Sequence, residues 1–369
     1  MAVLQVLSHL CRSGGAPCYR IGQPDFRRSK LRSAAADGSF SVVWNVPTFM
    51  CRRYWSAGSN PFSTLTADWD IEQNARDNFR GDKVTILYDP GWFPALLKDS
   101  SGKLQPRNGG APQAGNLSAH LAAFSAELDQ LVPDQEFAGI GVIDMESWRP
   151  VWKQLFGSYA PYPEFSRKLV RSQHPFWSKS SVEKAQARHD FEKGAREFME
   201  TTLELARQQR PLAQWGYYAY PYCFNYREQN CSRDVEKQND GIQWLFDEST
   251  ALFPSLYLSK SSKSTPEHVP FMLGRLLEAR RVAQRTPRIV GPRIYPYVWY
   301  RYHDSTDFLT HEDLYNSLAI PKNLGMNGAI IWGSSKDVNS KKKCEDLANY
   351  VKTELGPTVK NLMDISNMP

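Results

Sequence analysis

Residues 139–150 read Gly-Ile-Gly-Val-Ile-Asp-Met-Glu-Ser-Trp-Arg-Pro, an apolar run that ends in two carboxylates. Because successive side chains of a strand point to opposite faces, Asp144 and Glu146 share one face, roughly 7 Å apart along the chain. Like charges held this close raise the pKa of one of them, and a protonated carboxyl beside an ionised one suits cleavage of a glycosidic bond. An isolated Asp-x-Glu pattern is more often a helix cap next to a surface salt bridge.

Seven short runs rich in β-branched and aromatic residues recur along the chain, with helical patterns between them. They lie near 41–46, 84–88, 139–144, 214–218, 254–258, 294–299 and 328–332. Strands that alternate with helices indicate a parallel sheet, and the run 328–332 is apolar on both faces, as a barrel strand covered by helices is. An open doubly wound sheet would normally bring a Gly-rich phosphate-binding turn, and none follows the first run. We therefore predict an α/β barrel with about seven parallel strands.

The segments between these runs supply the helices. Two stripes step by three and four residues and predict amphipathic helices: Leu117, Leu121, Phe124, Leu128 and Leu131, then Phe191, Ala195, Phe198, Thr202 and Leu205. The stretch 310–313, Thr-His-Glu-Asp, is typical of a capping box that opens a further helix. We expect the long segments near 100–115 and 145–185 to be loops over one mouth of the barrel.

We expect the chain to consist of a leader followed by one domain. No shift in composition divides residues 40–357, so we expect a single catalytic barrel domain over residues 39–369. Residues 1–38 are expected to be a leader outside the fold, disordered or removed by processing. The first ten residues are weakly apolar and lack a basic region, and are therefore a poor secretory signal.

The bulk composition excludes several classes of protein. The 369 residues carry a net charge of +6, which favours acidic partners. No Walker loop, zinc-finger spacing or RNA-binding signature is present, which argues against nucleic acid. No apolar stretch approaches the ~20 residues that span a bilayer. No cysteine pair has metal-ligand spacing, so we expect neither a metal nor a cofactor.

Four of the six cysteines have positions that allow pairing. Cys223 and Cys231 bracket a short polar loop, while Cys51 and Cys344 follow the first and last predicted strands, which are neighbours in a closed barrel. Disulfides would place the protein in an oxidising compartment. Acceptor sequons at Asn116 and Asn230 agree with that compartment. We expect a secreted or lysosomal protein, although the weak leader conflicts with export; the sequence does not constrain the oligomeric state.

Polar and aromatic residues follow the predicted strands, where a barrel carries its chemistry. Any one of them alone is more often structural than functional, but their joint placement at one rim predicts a site. They are Tyr88, Asp89, Asp144, Glu146, Tyr218, Tyr220, Tyr257, Tyr300, Tyr302, Trp332, Ser334 and Ser335.

The sequence closely resembles the hyaluronidases of the insect-venom and animal type. The matching stretches run in order from about residue 40 to 360. They include residues 44–51 (Trp-Asn-Val-Pro-Thr-Phe-Met-Cys), 86–91, 107–110, 141–150, 174–177, 215–223 (Trp-Gly-Tyr-Tyr-Ala-Tyr-Pro-Tyr-Cys), 254–257, 331–335 (Ile-Trp-Gly-Ser-Ser) and 355–357. The resemblance implies a distorted TIM-type (β/α) barrel and endo-hydrolysis of the β-1,4 bond between N-acetylglucosamine and glucuronate in hyaluronan, with chondroitin as a second substrate. It also implies the bridges Cys51–Cys344 and Cys223–Cys231; Cys11 and Cys18 have no counterpart.

The resemblance also assigns the site. Glu146 is the acid/base, and the substrate's own 2-acetamido oxygen is the nucleophile, an exception to the two-carboxylate scheme. Asp144 holds or stabilises that group and raises the pKa of Glu146, while Tyr218 aims the acetamido oxygen. Tyr257 and Trp332 form the sugar pocket. We assign substrate binding also to Tyr88, Asp89, Arg149, Arg275, Ser334 and Ser335, although structural ion pairing suits the two arginines equally well and helix capping suits the two serines.

Three alternatives remain beside an active hyaluronidase. They are a barrel that binds glycans without turnover, a hydrolase that prefers chondroitin, and an enzyme that acts on chitin. The presence of Asp144, Glu146, Tyr218, Tyr257 and Trp332 argues against loss of activity, and a chitin-directed enzyme lacks support in the other motifs.

Overall fold

The computed structural model describes residues 40–56, 59–176, 181–226, 230–261 and 264–364, which all belong to one compact unit. The predicted leader, including Cys11 and Cys18, lies outside the described residues. The boundary at residue 38 therefore stays a prediction.

Strands overlap six of the seven predicted runs, whereas the strands at residues 71–73, 95–98 and 104–107 were not predicted. The described residues contain eleven strands. They are β1 (Ser41–Asn45), β2 (Ile71–Gln73), β3 (Val84–Tyr88), β4 (Ala95–Lys98), β5 (Leu104–Arg107), β6 (Ile140–Asp144), β7 (Gln214–Tyr217), β8 (Ala251–Leu252), β9 (Arg293–Ile294), β10 (Tyr297–Trp299) and β11 (Gly328–Trp332). Here β8 precedes the run predicted at 254–258, which adds only the single bridge from Ser255 to Tyr297.

Ten α-helices lie among the described residues. They are α1 (Leu65–Trp69), α2 (Leu117–Leu131), α3 (Pro161–Gln173), α4 (Ser181–Gln209), α5 (Arg233–Gly241), α6 (Gln243–Glu248), α7 (Thr265–Gln284), α8 (His311–Asn323), α9 (Lys341–Tyr350) and α10 (Gly356–Asp364), with a π-helical turn at Val351–Leu355. Both predicted stripes are confirmed, because Phe124 and Leu128 of α2 and Phe191, Ala195 and Phe198 of α4 are buried.

The barrel strands pair in parallel. One sheet has the order β10-β11-β1-β2 and another the order β3-β6-β7. Two isolated bridges connect the remaining strands: Tyr218–Phe253 joins the end of β7 to the end of β8, and Ser255–Tyr297 joins the segment after β8 to β10. The strands thus follow one another around a ring, which confirms the predicted fold class.

The ring has one seam, between β1 and β3, which no ladder joins in the described chain. Side chains satisfy the free edge of β3 instead. Asn74 Nδ2 donates to the Val84 carbonyl at 2.9 Å, its Oδ1 accepts from Val84 N at 2.9 Å, and Arg80 Nε donates to the Ile86 carbonyl at 2.8 Å. The seam makes this barrel distorted.

Two apolar cores explain why the strands are apolar on both faces. Val43, Ile86, Val142, Phe253 and Ile330 fill the barrel interior, while a larger cluster lies between the strands and the helices. At Gly141, a Cβ atom would collide with the Trp215 ring on β7. Glycine there lets β6 and β7 pack closely while the indole remains fully buried.

The predicted loops over the mouth contain regular structure. The segment near 100–115 includes β5, which forms an antiparallel hairpin with β4, and the segment 145–185 includes α3 and the start of α4. The prediction of plain loops was therefore wrong. The two hairpin strands have only four residues each and a proline at position 106, so their strand signal is weak.

One of the two hydrogen bonds of the predicted capping box forms at the start of α8. Thr310 accepts a hydrogen bond from Asp313 N at 3.2 Å, as an N-cap does. The Asp313 carboxylate binds His268 Nδ1 at 2.9 Å and the Tyr302 hydroxyl at 2.5 Å. The carboxylate that would complete the capping box is therefore bound by these buried partners instead.

Two disulfides join the predicted cysteines. Cys51 bridges to Cys344 across 293 residues, and Cys223 bridges to Cys231 across eight. The first ties the segment after β1 to α9, and both of its cysteines are fully buried.

Among the described residues, no helix combines the length and the apolar character needed to cross a membrane.

Candidate active site

Asp144 and Glu146 lie at the carboxyl end of β6, which is the mouth where a parallel barrel carries its chemistry. Asp144 is the last residue of the strand and is in register with Tyr88 of β3. The backbone N–H of Asp89 donates to the Asp144 carbonyl at 2.8 Å, which extends the β3–β6 pairing to the rim. Glu146 follows two residues later and keeps part of its surface open to solvent, while Asp144 is half-buried.

The two carboxyls hold protons more tightly than free ones do. Burial raises the pKa of Asp144 to about 8, with further increases from the charges of Glu146 and Asp89. Its Oδ1 is buried and makes no hydrogen bond. Burial also raises the pKa of Glu146, against the opposing charge of Arg149. The structure therefore differs from the sequence expectation, because loss of water, rather than the charge of Asp144, raises the pKa of Glu146.

Tyr218 and Tyr257 lie together at the ends of the next strands. Their ring centroids are 6.1 Å apart, and the Tyr218 hydroxyl donates to Ser255 Oγ at 3.3 Å. Burial raises the pKa of both phenols far above neutral, so both hydroxyls keep their protons and can donate hydrogen bonds. The charges of Asp144 and Glu146 contribute to the pKa of Tyr218, which places this hydroxyl in the field of the carboxylate pair.

An aromatic wall faces these groups. Trp332 stacks on Tyr257 at 5.6 Å and meets Trp299 edge-on at 4.9 Å. The indole N–H of Trp332 donates to the Tyr88 hydroxyl at 3.0 Å. Tyr88 is 41% exposed and stacks on Phe79 at 6.1 Å. Flat apolar faces with polar edges are suited to packing against sugar rings.

The two arginines assigned to substrate binding have protein partners. Arg149 lies over four aromatic rings, at 4.5 Å from Tyr222 and 4.6 Å from Tyr159, and donates to the Gln154 carbonyl at 3.0 Å. Arg275 donates to the Ser255 carbonyl at 2.6 Å and to Asn225 at 3.2 Å. Since Ser255 also binds Tyr218, Arg275 fixes the segment that supports Tyr218. Both assignments to substrate contact stay predictions.

Asp89 and Ser334, which were also assigned to substrate binding, likewise form hydrogen bonds with protein groups. Arg107 donates to both oxygens of Asp89, at 2.5 Å and 2.9 Å, and this pair ties the β4–β5 hairpin to the rim. Ser334 Oγ accepts from Lys336 N at 3.2 Å and caps a short helix, Ser335–Asp337, whereas Ser335 is exposed. The capping alternative therefore accounts for Ser334.

Three of the rim tyrosines do not face the cleft. Tyr220, Tyr300 and Tyr302 are all at most 4% exposed, and Tyr302 binds Asp313. Strand alternation explains the difference for Tyr300, because Tyr297 and Trp299 point to the barrel axis and Tyr300 points to the helices. Because the run 294–299 is apolar on both faces, the sequence did not reveal whether its odd-numbered or its even-numbered side chains point to the barrel axis. The sequence also contained no signal that would have identified Trp299 or Ser255 as residues of the site.

The sequons lie at the surface of the described chain. Asn116 caps α2, with its Oδ1 accepting from Ala119 N at 3.0 Å, and is exposed. Asn230 is also exposed. Glycosylation at either position stays a prediction. Within the described ranges, no group of three or more His, Cys, Asp or Glu residues has an arrangement that would hold a metal ion.

Comparison with known proteins identifies the family. The family model for hyaluronidase matches residues 30–368. The chain belongs to the hyaluronidase family. A hyaluronidase of Apis mellifera is 45% identical over 328 residues, which cover 88% of this chain and 84% of that protein. Hyaluronidase B of Vespa velutina is 44% identical, over 89% of this chain and 98% of its own length.

A solved structure supports the same family. Bee venom hyaluronidase in complex with a hyaluronic acid tetramer matches with a TM-score of 0.84 and 43% identity, over 88% of this chain and 99% of that one. The resemblance read from the motifs, the barrel fold and the class of glycoside hydrolase are thus confirmed for this hyaluronidase-family chain. The comparisons do not test the individual site residues.

Proposed function

We propose that this chain is an endo-acting hyaluronidase that cleaves the β-1,4 bond between N-acetylglucosamine and glucuronate. The observation that carries the proposal is the Asp144–Glu146 pair, which ends β6 beside the aromatic wall and has both pKa values raised by burial. A hydrolase that protonates a leaving oxygen near neutral pH needs such a carboxyl.

In the first step, Glu146 acts as the general acid. The acetamido oxygen of the bound N-acetylglucosamine attacks the anomeric carbon, while Glu146 gives its proton to the bridging oxygen and the glycosidic bond breaks. The acetamido group becomes a positively charged oxazolinium ring. Asp144, whose Oδ1 has no protein hydrogen-bond partner, accepts a hydrogen bond from the acetamido N–H through that oxygen.

In the second step, the roles reverse. The Glu146 carboxylate takes a proton from a water molecule, whose oxygen attacks the anomeric carbon and opens the ring. Two inversions at that carbon give net retention. When substrate is bound, the Tyr218 hydroxyl turns its single proton from Ser255 to the acetamido oxygen and aims that oxygen at the anomeric carbon.

The internal nucleophile agrees with the carboxylates available. Of the three acidic residues at the ends of β3 and β6, Asp89 is bound through both oxygens to Arg107. This leaves the Asp144–Glu146 pair for chemistry, and each member already has a role. A separate protein nucleophile is therefore unnecessary at this rim.

Chondroitin is proposed as a second substrate, since its uronate and 2-acetamido groups offer the same chemistry. Two disulfides support an oxidising compartment, and one relative is a venom protein. We therefore infer export, to the outside of the cell or to the lysosome.

The test is release of new reducing ends from hyaluronan, chondroitin and chitin, with NMR detection of the first anomer formed. We expect cleavage of hyaluronan with the β-anomer first and no cleavage of chitin. Binding of hyaluronan without release would favour the non-catalytic glycan-binding alternative, and cleavage with inversion would exclude the substrate-assisted route.

A further inference from the structure

Arg80 is a cation at the side of the cleft that the catalytic assignment does not use. It lies in the seam between β1 and β3, where its Nε donates to the Ile86 carbonyl at 2.8 Å. Its guanidinium carbon is 5.8 Å from the centre of the Phe79 ring and 5.9 Å from that of Tyr88. The bond to Ile86 fixes the side chain through one nitrogen, which leaves the two terminal NH₂ groups available.

Tyr88 connects Arg80 with the reaction centre. The Tyr88 hydroxyl accepts from Trp332 at 3.0 Å. Burial is the main cause that raises the pKa of this phenol; the charges of Asp144 and Glu146 raise it further, while the hydrogen bond from Trp332 and the charge of Arg80 lower it. Arg80 and the carboxylate pair therefore act on one exposed side chain from the same cleft.

Three other arginines near this mouth are committed to protein groups. Arg107 pairs with Asp89, Arg301 pairs with Asp337 at 2.5 Å, and Arg275 binds a backbone carbonyl. Within the part of the chain that the structure describes, no ion pair joins Arg80 to a carboxylate, and the Nε bond is its recorded hydrogen bond. Arg80 thus has donors to offer to a ligand.

A polyanionic substrate needs such a cation. Hyaluronan carries one carboxylate per disaccharide, and the catalytic rim contributes the acidic groups of Asp144 and Glu146. A guanidinium binds a carboxylate through two parallel hydrogen bonds, a geometry that lysine does not reproduce. The guanidinium carbon of Arg80 lies 5.8 Å and 5.9 Å from the centres of the stacked Phe79 and Tyr88 rings, and the exposed part of Tyr88 offers a flat surface for the uronate ring.

We propose that Arg80, together with Tyr88 and Phe79, forms a subsite for a glucuronate carboxylate of the bound polymer. This inference rests on the proposed function, since it names the group that recognises the acidic sugar of that substrate. Arg80 binds and orients the polymer and takes no part in proton transfer. Its effect therefore falls on KM rather than on kcat.

The test compares Arg80→Gln with Arg293→Gln, a matched loss of one arginine charge at β9, whose start belongs to the opposite mouth. Glutamine at position 80 retains an N–H donor for the Ile86 carbonyl. For Arg80→Gln we expect KM for hyaluronan to rise about tenfold with kcat within about twofold of wild type, since charge-assisted hydrogen bonds contribute this much. We expect the KM of Arg80→Lys to lie between those of wild type and Arg80→Gln, and Arg293→Gln to leave KM and kcat unchanged.

Hyaluronan with its carboxylates reduced to alcohols separates recognition from folding. With this polymer, Arg80→Gln and wild type should have the same KM, because the group that Arg80 binds is absent. An equal rise in KM for both polymers, or no rise for hyaluronan, overturns the subsite.

Binding measurements separate this inference from the proposed function. Calorimetry of hyaluronan hexasaccharide with wild type and with Arg80→Gln needs no turnover. If wild type binds but does not cleave, the proposed function fails, and a roughly tenfold affinity difference between the two proteins still supports the subsite. Equal affinities overturn it.

Discussion

The indole N–H of Trp332 donates a hydrogen bond to the hydroxyl of Tyr88 at 3.0 Å. Tyr88 ends β3 and Trp332 ends β11, and these strands belong to two sheets that no ladder joins in the described chain. The bond therefore closes the rim above the seam that lacks backbone pairing. It also fixes the plane of the indole, which the stacked Tyr257 ring supports from the other side.

Tyr88→Phe tests this link. The phenyl ring keeps the stack on Phe79 but removes the acceptor for the indole, so Trp332 becomes less ordered. We expect a stability loss within about 1 kcal/mol, the net value of one hydrogen bond, together with a roughly threefold rise in KM for hyaluronan. Steady-state kinetics and thermal melting measure both. An unchanged KM would show that Trp332 does not depend on Tyr88.

Tyr218→Phe tests the aiming of the internal nucleophile. Burial keeps this phenol protonated, and its hydroxyl orients the acetamido oxygen before attack. Its loss should lower kcat by about 10²-fold, the scale of one transition-state donor, and change KM little. Single-turnover kinetics measure the chemical step directly, and wild-type kcat would remove Tyr218 from the mechanism.

Asp144→Asn tests the buried carboxyl through stability. Because burial raises the pKa of Asp144 from 3.8 to about 8, the folded protein binds a proton that the unfolded chain releases between these pH values. Wild-type stability therefore falls as pH rises through this window, and asparagine removes the effect. We expect Asp144→Asn to melt like wild type near pH 4 and to be more stable at pH 8, by a few kcal/mol.

Asp70→Asn is the matched control for that experiment. Asp70 is exposed and ends α1 in a left-handed conformation, which asparagine also adopts. Its melting difference from wild type should not change between pH 4 and pH 8. A difference for Asp144→Asn that stays constant with pH would contradict the raised pKa.

The disulfides should contribute unequally to stability. Replacing Cys51 and Cys344 by serine releases a loop of 293 residues, whereas the Cys223–Cys231 bridge closes one of eight. Chain entropy predicts losses of roughly 6 and roughly 2.5 kcal/mol. Chemical denaturation of the two double variants compares them. A larger loss for the Cys223–Cys231 pair would show that local strain or packing outweighs loop entropy.

The sequence reveals most of this fold because the barrel strands are buried on both faces and read as apolar runs. It also locates Asp144 and Glu146, since a carboxylate pair at the end of such a run is visible without coordinates. The β4–β5 hairpin and the side-chain-sealed seam were not predicted, because their strands are short and their partners are distant. Arg80 has no motif around it, and only its neighbours in space reveal its position.

The electrostatics of the site required coordinates. Spacing alone suggests that Asp144 raises the pKa of Glu146 by its charge. The structure shows instead that desolvation dominates at both residues. Desolvation depends on the packing of distant segments around the rim, and a two-residue spacing does not contain that information.

The most direct measurement is reducing-end release from hyaluronan by Glu146→Gln. Glutamine keeps the shape of the side chain but has no acidic proton, so hydrolysis should fall by at least 10³-fold, while hyaluronan affinity stays within about threefold of wild type. Residual activity within tenfold of wild type would contradict the assignment of Glu146 as the acid.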